Sequence, residues 1–156
     1  MLELDGLPGG RVVVVGIGNT VRSDDGAGAA VALRLKADHP DVVFDAGPAP
    51  ENYIAPIRRS RPSAVLLVDA ADFGGAPGEI RTARSDDVEG LMMGTHAAPL
   101  SMFMRVLNAE TGADVRLVAV QAANTGFGET LSAEVADAVD SVTRDLGRLL
   151  TERKAR

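Results

Sequence analysis

The chain has no cysteine and no tryptophan, and its aromatic residues are four Phe and one Tyr among 156 positions. Without cysteine it can form no disulfide, zinc–thiolate knuckle or thiolate-held iron–sulfur cluster. Basic residues are outnumbered, 16 Lys+Arg against 22 Asp+Glu, for a net charge of −6. A phosphate-backbone partner requires a clustered Lys/Arg face. The only basic clusters are Arg58, Arg59 and Arg61 and the tail 148–156, which read as solvated helix ends, so no nucleic-acid partner is expected. No apolar run approaches the ~20 residues of a membrane span. The opening MLELDGLPGG is acidic and broken by Gly and Pro, unlike a signal peptide. A cytoplasmic protein without a membrane partner is expected, monomeric or weakly self-associating. The length suits one domain, 1–156 with flexible ends at 1–10 and 151–156, able to bury roughly 70% of its unfolded surface.

What is present alternates short β-branched runs with helical stretches, the pattern of an α/β domain with a largely parallel sheet. Arg11 to Ile17 (RVVVVGI) is a strand apolar on both faces. Ala27, Val31 and Leu35 recur at helical spacing, predicting a helix from about Asp24 to Ala37 with Asp24 or Asp25 as its N-cap. Asp41 to Asp45 and Ser63 to Asp69 read as further strands, with Glu51 to Arg59 a short helix between them. Gly74 to Thr82 reads as a turn and a polar edge strand. Leu100, Phe103, Met104 and Leu107 mark a helix with Pro99 in its first turn, and Val115 to Val120 is another strand. The last helix carries an apolar stripe from Leu131 through Val135, Val139, Val142 and Leu146 to Leu150, with Ser132 as its cap. The expected architecture is a three-layer α/β domain. Its twisted, mostly parallel sheet has about five strands, one of them an antiparallel edge strand, with helices on both faces.

Ligands of such sheets bind beyond the carboxyl ends of the strands. The first strand leads into Gly16-Ile17-Gly18-Asn19 and then Ser23-Asp24-Asp25-Gly26; the second ends in Asp45 and the third in Asp69; His96 lies on a later loop. Individually these have plain structural readings. Asp24 or Asp25 caps a helix, Asp45 closes a turn, His96 starts a helix, and His39 beside Pro40 is a surface residue. Asp69 is harder to place that way, because a carboxylate at the tip of an apolar strand is costly unless a cation or donors meet it. Together, several carboxylates and one imidazole at one edge form a divalent-metal constellation of hard and borderline ligands. A dinucleotide turn is a poor fit: Val21 fills the third glycine position of GxGxxG, and there is no Walker lysine.

The run Gly16-Ile17-Gly18-Asn19 … Ser23-Asp24-Asp25-Gly26-Ala27-Gly28 resembles the opening motif of the hydrogenase maturation endopeptidases. The segments Ala49-Pro50-Glu51-Asn52, Val68-Asp69-Ala70-Ala71-Asp72, Pro77-Gly78-Glu79-Ile80-Arg81 and Met92-Met93-Gly94-Thr95-His96 with Pro99-Leu100 are similar to the branch serving the hydrogenase of formate hydrogenlyase. The resemblance runs from about Val12 to Leu150. It implies an aspartic or metal-dependent endopeptidase that removes a C-terminal extension from the large-subunit precursor of a nickel–iron hydrogenase. It implies Asp25, Asp69 and His96 as metal ligands, Gly18 and Asn19 on the substrate, and Asp45 as the acid of a catalytic turn. That turn is Asp-Gly-Gly in the family and Asp45-Ala46-Gly47 here, and Ala resists positive φ. The resemblance also implies that the nickel arrives on the substrate, already held by its cysteine thiolates; this chain has no cysteine of its own. Water activation is open between the ion itself and Asp45 as general base. A non-cleaving chaperone for the precursor, or a nucleotide- or phosphate-binding α/β protein, are the alternatives.

Overall fold

The computed structural model describes residues 2–155. Its sheet grows from β1 (Val12–Ile17), whose six residues are all buried. A strand with no polar face must be covered on both sides, and it lies inside the sheet, parallel to β2 (Val43–Gly47) on one flank and to β3 (Ala64–Ala71) on the other. Beyond β3 come β5 (Asp114–Gln121), again parallel, and β4 (Ile80–Arg84), which pairs antiparallel with β5 at the sheet edge. The order is β2-β1-β3-β5-β4. The more polar β4 is an edge strand, as its composition predicts.

Strand alternation sorts the apolar side chains into two cores. Val13, Val15, Val65, Leu67 and Leu117 face α2 (Ile54–Arg59), α3 (Ser85–Leu91) and α4 (Ala97–Thr111), where they meet Ile57, Val88, Met104 and Leu107. Val12, Val14, Leu66, Val68 and Val118 face α1 (Ala27–Lys36) and α5 (Ala133–Lys154), where they meet Val31, Leu35, Val139, Val142 and Leu146. Each fully buried aliphatic side chain of this kind contributes about 1.5–3 kcal/mol. The result is a single α/β domain with helices on both faces of a five-stranded mixed sheet.

Several elements differ from the sequence expectation. The first helix does not begin at Asp24: a 3-10 turn (Ser23–Gly26) precedes α1, and neither Asp24 nor Asp25 caps it, since Gly26 holds the N-cap position without a side-chain bond. The Glu51 to Arg59 helix likewise divides into a 3-10 turn (Pro50–Tyr53) and α2. Helix α3 is additional; with Val88 as its one buried residue it has no periodic stripe to announce it. Strand β3 continues two residues past Asp69 because β5 pairs with it as far as Ala71↔Gln121. Residues 2–10 are docked rather than loose. Arg116 donates to the Asp5 carbonyl at 2.7 Å, Arg153 donates to the Pro8 and Gly10 carbonyls at 2.8 Å each, and Leu2, Leu4 and Leu7 pack on the second core. Helix α5 runs through Lys154, past the point where a loose tail was expected. Among the described residues no helix is long and apolar enough to cross a membrane.

Candidate active site

Helix α1 returns β1 to β2 over one face of the sheet, and α2 carries β2 to β3 over the other. The chain leaving β1 goes on to β2 on one side and the chain leaving β3 goes on to β4, beyond β5, on the other, so the two connections head to opposite edges of the sheet and a crevice opens between them, as at the switch point of other open α/β sheets. A cleft of about 570 Å³ occupies this position, lined by Gly18, Asn19, Arg22, Asp25, Asp69 and His96 among others.

The wall after β1 depends on two glycines. A Cβ on Gly28, in the first turn of α1, would stand 2.1 Å from the Val68 carbonyl and 2.3 Å from that of Ile17. Glycine lets the helix start press against the ends of β1 and β3. Gly18 has φ +140, and a Cβ there would stand 1.9 Å from the Asp25 carbonyl and 3.8 Å from Asp69 Oδ1. The chain can fold back on itself between the two acids only because this position lacks a side chain. The Asn19 N–H then donates to Asp25 Oδ2 at 2.9 Å, and the Val21 N–H donates to Asn19 Oδ1 at 3.0 Å. Gly18 and Asn19 thus line the cleft, and the Asn19 N–H holds Asp25 in place.

Asp24 and Asp25 are adjacent but serve different ends. Asp24 is fully buried. Its carboxylate accepts the Ala123 and Asn124 N–H groups at 2.9 and 2.8 Å, the Ser132 N–H at 2.7 Å and the Ser132 hydroxyl at 2.9 Å. Burial by itself would raise its pKa, but hydrogen bonds from Ser132, Asn124 and Ala123 outweigh it and hold the carboxyl below its ordinary value. Ser132 does stand at the N-cap of α5, yet it makes no side-chain cap bond, its hydroxyl being given to Asp24.

Asp69 lies within β3, paired opposite Ala119, on the face that carries α4. Burial first, and the negative charge of Asp25 second, push its pKa well above the ordinary value, while the Ala70 N–H offsets part of the rise. Among the described residues no basic side chain forms an ion pair with either acid, although Arg22 lines the same cleft.

The opposite wall is the 92–96 connection. His96 is exposed at the N-cap of α4 and makes no cap bond. Met93 is anchored by its N–H donating to the Asp72 carbonyl at 2.7 Å. Asp72 is tied in turn: Gln121 Nε2 donates to its Oδ1 at 3.2 Å, while Gln121 Oε1 accepts the Phe73 and Gly75 N–H groups. Sequence reasoning did not single out Arg22, Met93, Gln121 or Thr125 for the site. Met93 and Asp72 stand inside quoted motifs, but Thr125 reaches the cleft from the loop after β5, where no local pattern marks it.

The structure therefore brings Asp25, Asp69 and His96 to one cleft. It does not draw them into a compact set: among the described residues no three His, Asp or Glu side chains stand close enough together to hold a metal ion. Asp45 is not part of the lining. It is exposed on β2, opposite Gly16, with β1 between it and Asp69. In the Asp45-Ala46-Gly47 turn the positive φ falls on Gly47, at 63°, while Ala46 is buried in the first core, so the replaced glycine costs the turn nothing. The Gly47 carbonyl accepts the Gly18 N–H at 3.0 Å, linking this turn to the cleft wall. His39 lies far from the site, in a cavity of about 470 Å³ beside Gly10 and Arg11, which lead into the start of β1.

Three comparisons agree with one another. The sequence profile of the family described as Hydrogenase maturation protease matches residues 30–147. The chain is 39% identical over 137 residues to the Hydrogenase 3 maturation protease of Escherichia coli K12, covering 86% of this chain and 87% of that protein. Its fold is similar to the crystal structure of a nickel–iron hydrogenase maturation protease, HycI, from Thermococcus kodakarensis, with TM-score 0.83, 33% identity, and 94% and 95% of the two chains covered. It is also similar to the solution structure of an endopeptidase, HycI, from Escherichia coli, with TM-score 0.77, 36% identity, and 88% and 89% covered.

Proposed function

The chain belongs to the hydrogenase maturation protease family, and from that premise we propose that it cuts a C-terminal extension from a nickel–iron hydrogenase large-subunit precursor once nickel has been inserted. The observation that carries this reading is Asp69: a carboxyl whose pKa is raised by burial and by Asp25, on the floor of a cleft where no described basic side chain pairs with either acid. Such a pair favours a cation over an empty site. A nickel ion held on the precursor by thiolates is a cation of that kind, and with no cysteine in this chain every thiolate must come from the substrate.

Asp25, Asp69 and His96 are the groups that would complete the ion's coordination. Their looseness in the free protein suits recognition: three side chains not gathered into a ready site bind a free ion weakly and close only on one presented in place. Gly18 and Asn19, which line the cleft, would contact the incoming chain. The ion can polarise the scissile carbonyl or acidify a bound water. A base role for Asp45 requires the bound substrate to extend over the end of β2, next to the turn that Gly47 ties to Gly18.

The test is substitution of the proposed ligands. Asp25→Ala and His96→Ala should each abolish release of the C-terminal peptide from nickel-loaded precursor while circular dichroism stays that of the wild type. Full cleavage by either variant would refute the assignment.

A further inference from the structure

The connection between β5 and α5 is fastened to the loop after β1 along its length. The Ser23 N–H donates to the Gly128 carbonyl at 2.8 Å, the Gly128 N–H to that of Val21 at 2.9 Å, and the Asp24 N–H to that of Asn124 at 2.9 Å. The Ser23 hydroxyl donates to the Gly126 carbonyl at 2.8 Å, and the Asp24 carboxylate holds the Ala123 and Asn124 N–H groups. Ser23 adopts φ 52 within this arrangement, a region a non-glycine residue seldom occupies. These contacts preorganise a surface loop that carries one large side chain at its tip, Phe127, flanked by Gly126 and Gly128 and 93% exposed. The other three Phe are used conventionally: Phe73 and Phe103 are buried and Phe44 packs on the first core.

An exposed aromatic on a loop already fixed by hydrogen bonds pays little further ordering cost on docking, and buried aromatics dominate the energetics of protein interfaces. Phe127 is also continuous with the site. Ala122 and Thr125 of the same loop line the cleft, and the exposed Val21 accepts through its carbonyl the N–H of Gly128, the residue next to Phe127. The loop that carries Phe127 therefore forms part of the cleft's rim, within reach of the body of a protein whose end enters the cleft.

We propose that Phe127 is a docking anchor for the folded body of the substrate precursor, its ring entering an apolar pocket on the protein whose terminal segment occupies the cleft. This rests on the precursor reading above. The experiment measures binding of nickel-loaded precursor to immobilised wild-type, Phe127→Ala and Phe127→Leu proteins by surface plasmon resonance, with cleavage of the same precursor followed in parallel. Removing so exposed a ring leaves the fold alone. Phe127→Ala should weaken binding about tenfold and raise KM by a similar factor with kcat unchanged, and Phe127→Leu should recover most of the loss. Equal affinity of wild type and Phe127→Ala would overturn the anchor, as would a wild-type dimer that Phe127→Ala dissolves. Wild type that binds but never cleaves, with the Phe127→Ala deficit intact, would overturn the peptidase reading and support the anchor. Wild type that fails to bind would overturn both.

Discussion

Asp24 receives both the N–H and the hydroxyl of Ser132, 108 positions later in the chain, at 2.7 and 2.9 Å, so one buried carboxylate joins the loop that carries Asp25 to the start of α5. Asp24→Ala would leave four part-buried donors without their acceptor. It should cost about 3 kcal/mol, a fall in melting temperature of roughly 10 °C. Ser132→Ala, losing only the hydroxyl, should cost about 1 kcal/mol. Thermal unfolding of both variants at neutral pH checks the ratio.

The two shifted carboxyls set opposite pH dependences. Asp24, with its pKa held down in the fold, adds stability that is full above the unfolded carboxylate range and is lost as pH falls through the lowered value. Asp69, with its pKa raised, binds its proton more tightly in the folded state, so its contribution weakens stability as pH rises from about 4 through the raised value. Asp69→Asn should therefore raise the melting temperature at pH 7 and leave it nearly unchanged at pH 3.5. A variant destabilised at pH 7 would contradict the cation-seeking role assigned to this site.

Gly18→Ala places a methyl where the Asp25 carbonyl stands. The loop must shift to accept it, moving Asp25 and the Asn19 N–H together. Precursor cleavage should fall by about 10²-fold or more, with a stability loss of about 2 kcal/mol, measured by single-turnover kinetics and denaturant unfolding.

Asp45 is exposed, so Asp45→Asn should change stability by less than about 0.5 kcal/mol. If Asp45 is the general base, kcat falls by about 10²–10⁴ while precursor binding is retained. Unchanged kcat removes it from the mechanism and leaves water activation to the ion.

The fold was legible because its strands are nearly pure: β1 and β3 hold apolar side chains on both faces, and α5 has a clean stripe. Helix α3 was invisible, since one buried Val88 among acids and glycine makes no pattern. Asp25, Asp69 and His96 could be found from strand ends and motif order, and all three reach the cleft. The separate task of Asp24 could not be, because two neighbouring carboxylates before a helix look alike until partners about a hundred residues away distinguish them. The same distance hid the role of the loop after β5. In the sequence Asp45 closes an apolar run just as Asp69 does, but that position alone does not say that β1 separates them.

Recognition of nickel on the substrate before cutting is the step on which the proposed function turns. Purified protein incubated with nickel-loaded and nickel-free hydrogenase large-subunit precursor, followed by intact mass measurement, tests it directly. The loaded precursor should lose the mass of a C-terminal peptide while the nickel-free form keeps its full mass. Equal cleavage of both forms, or cleavage of neither, would contradict it.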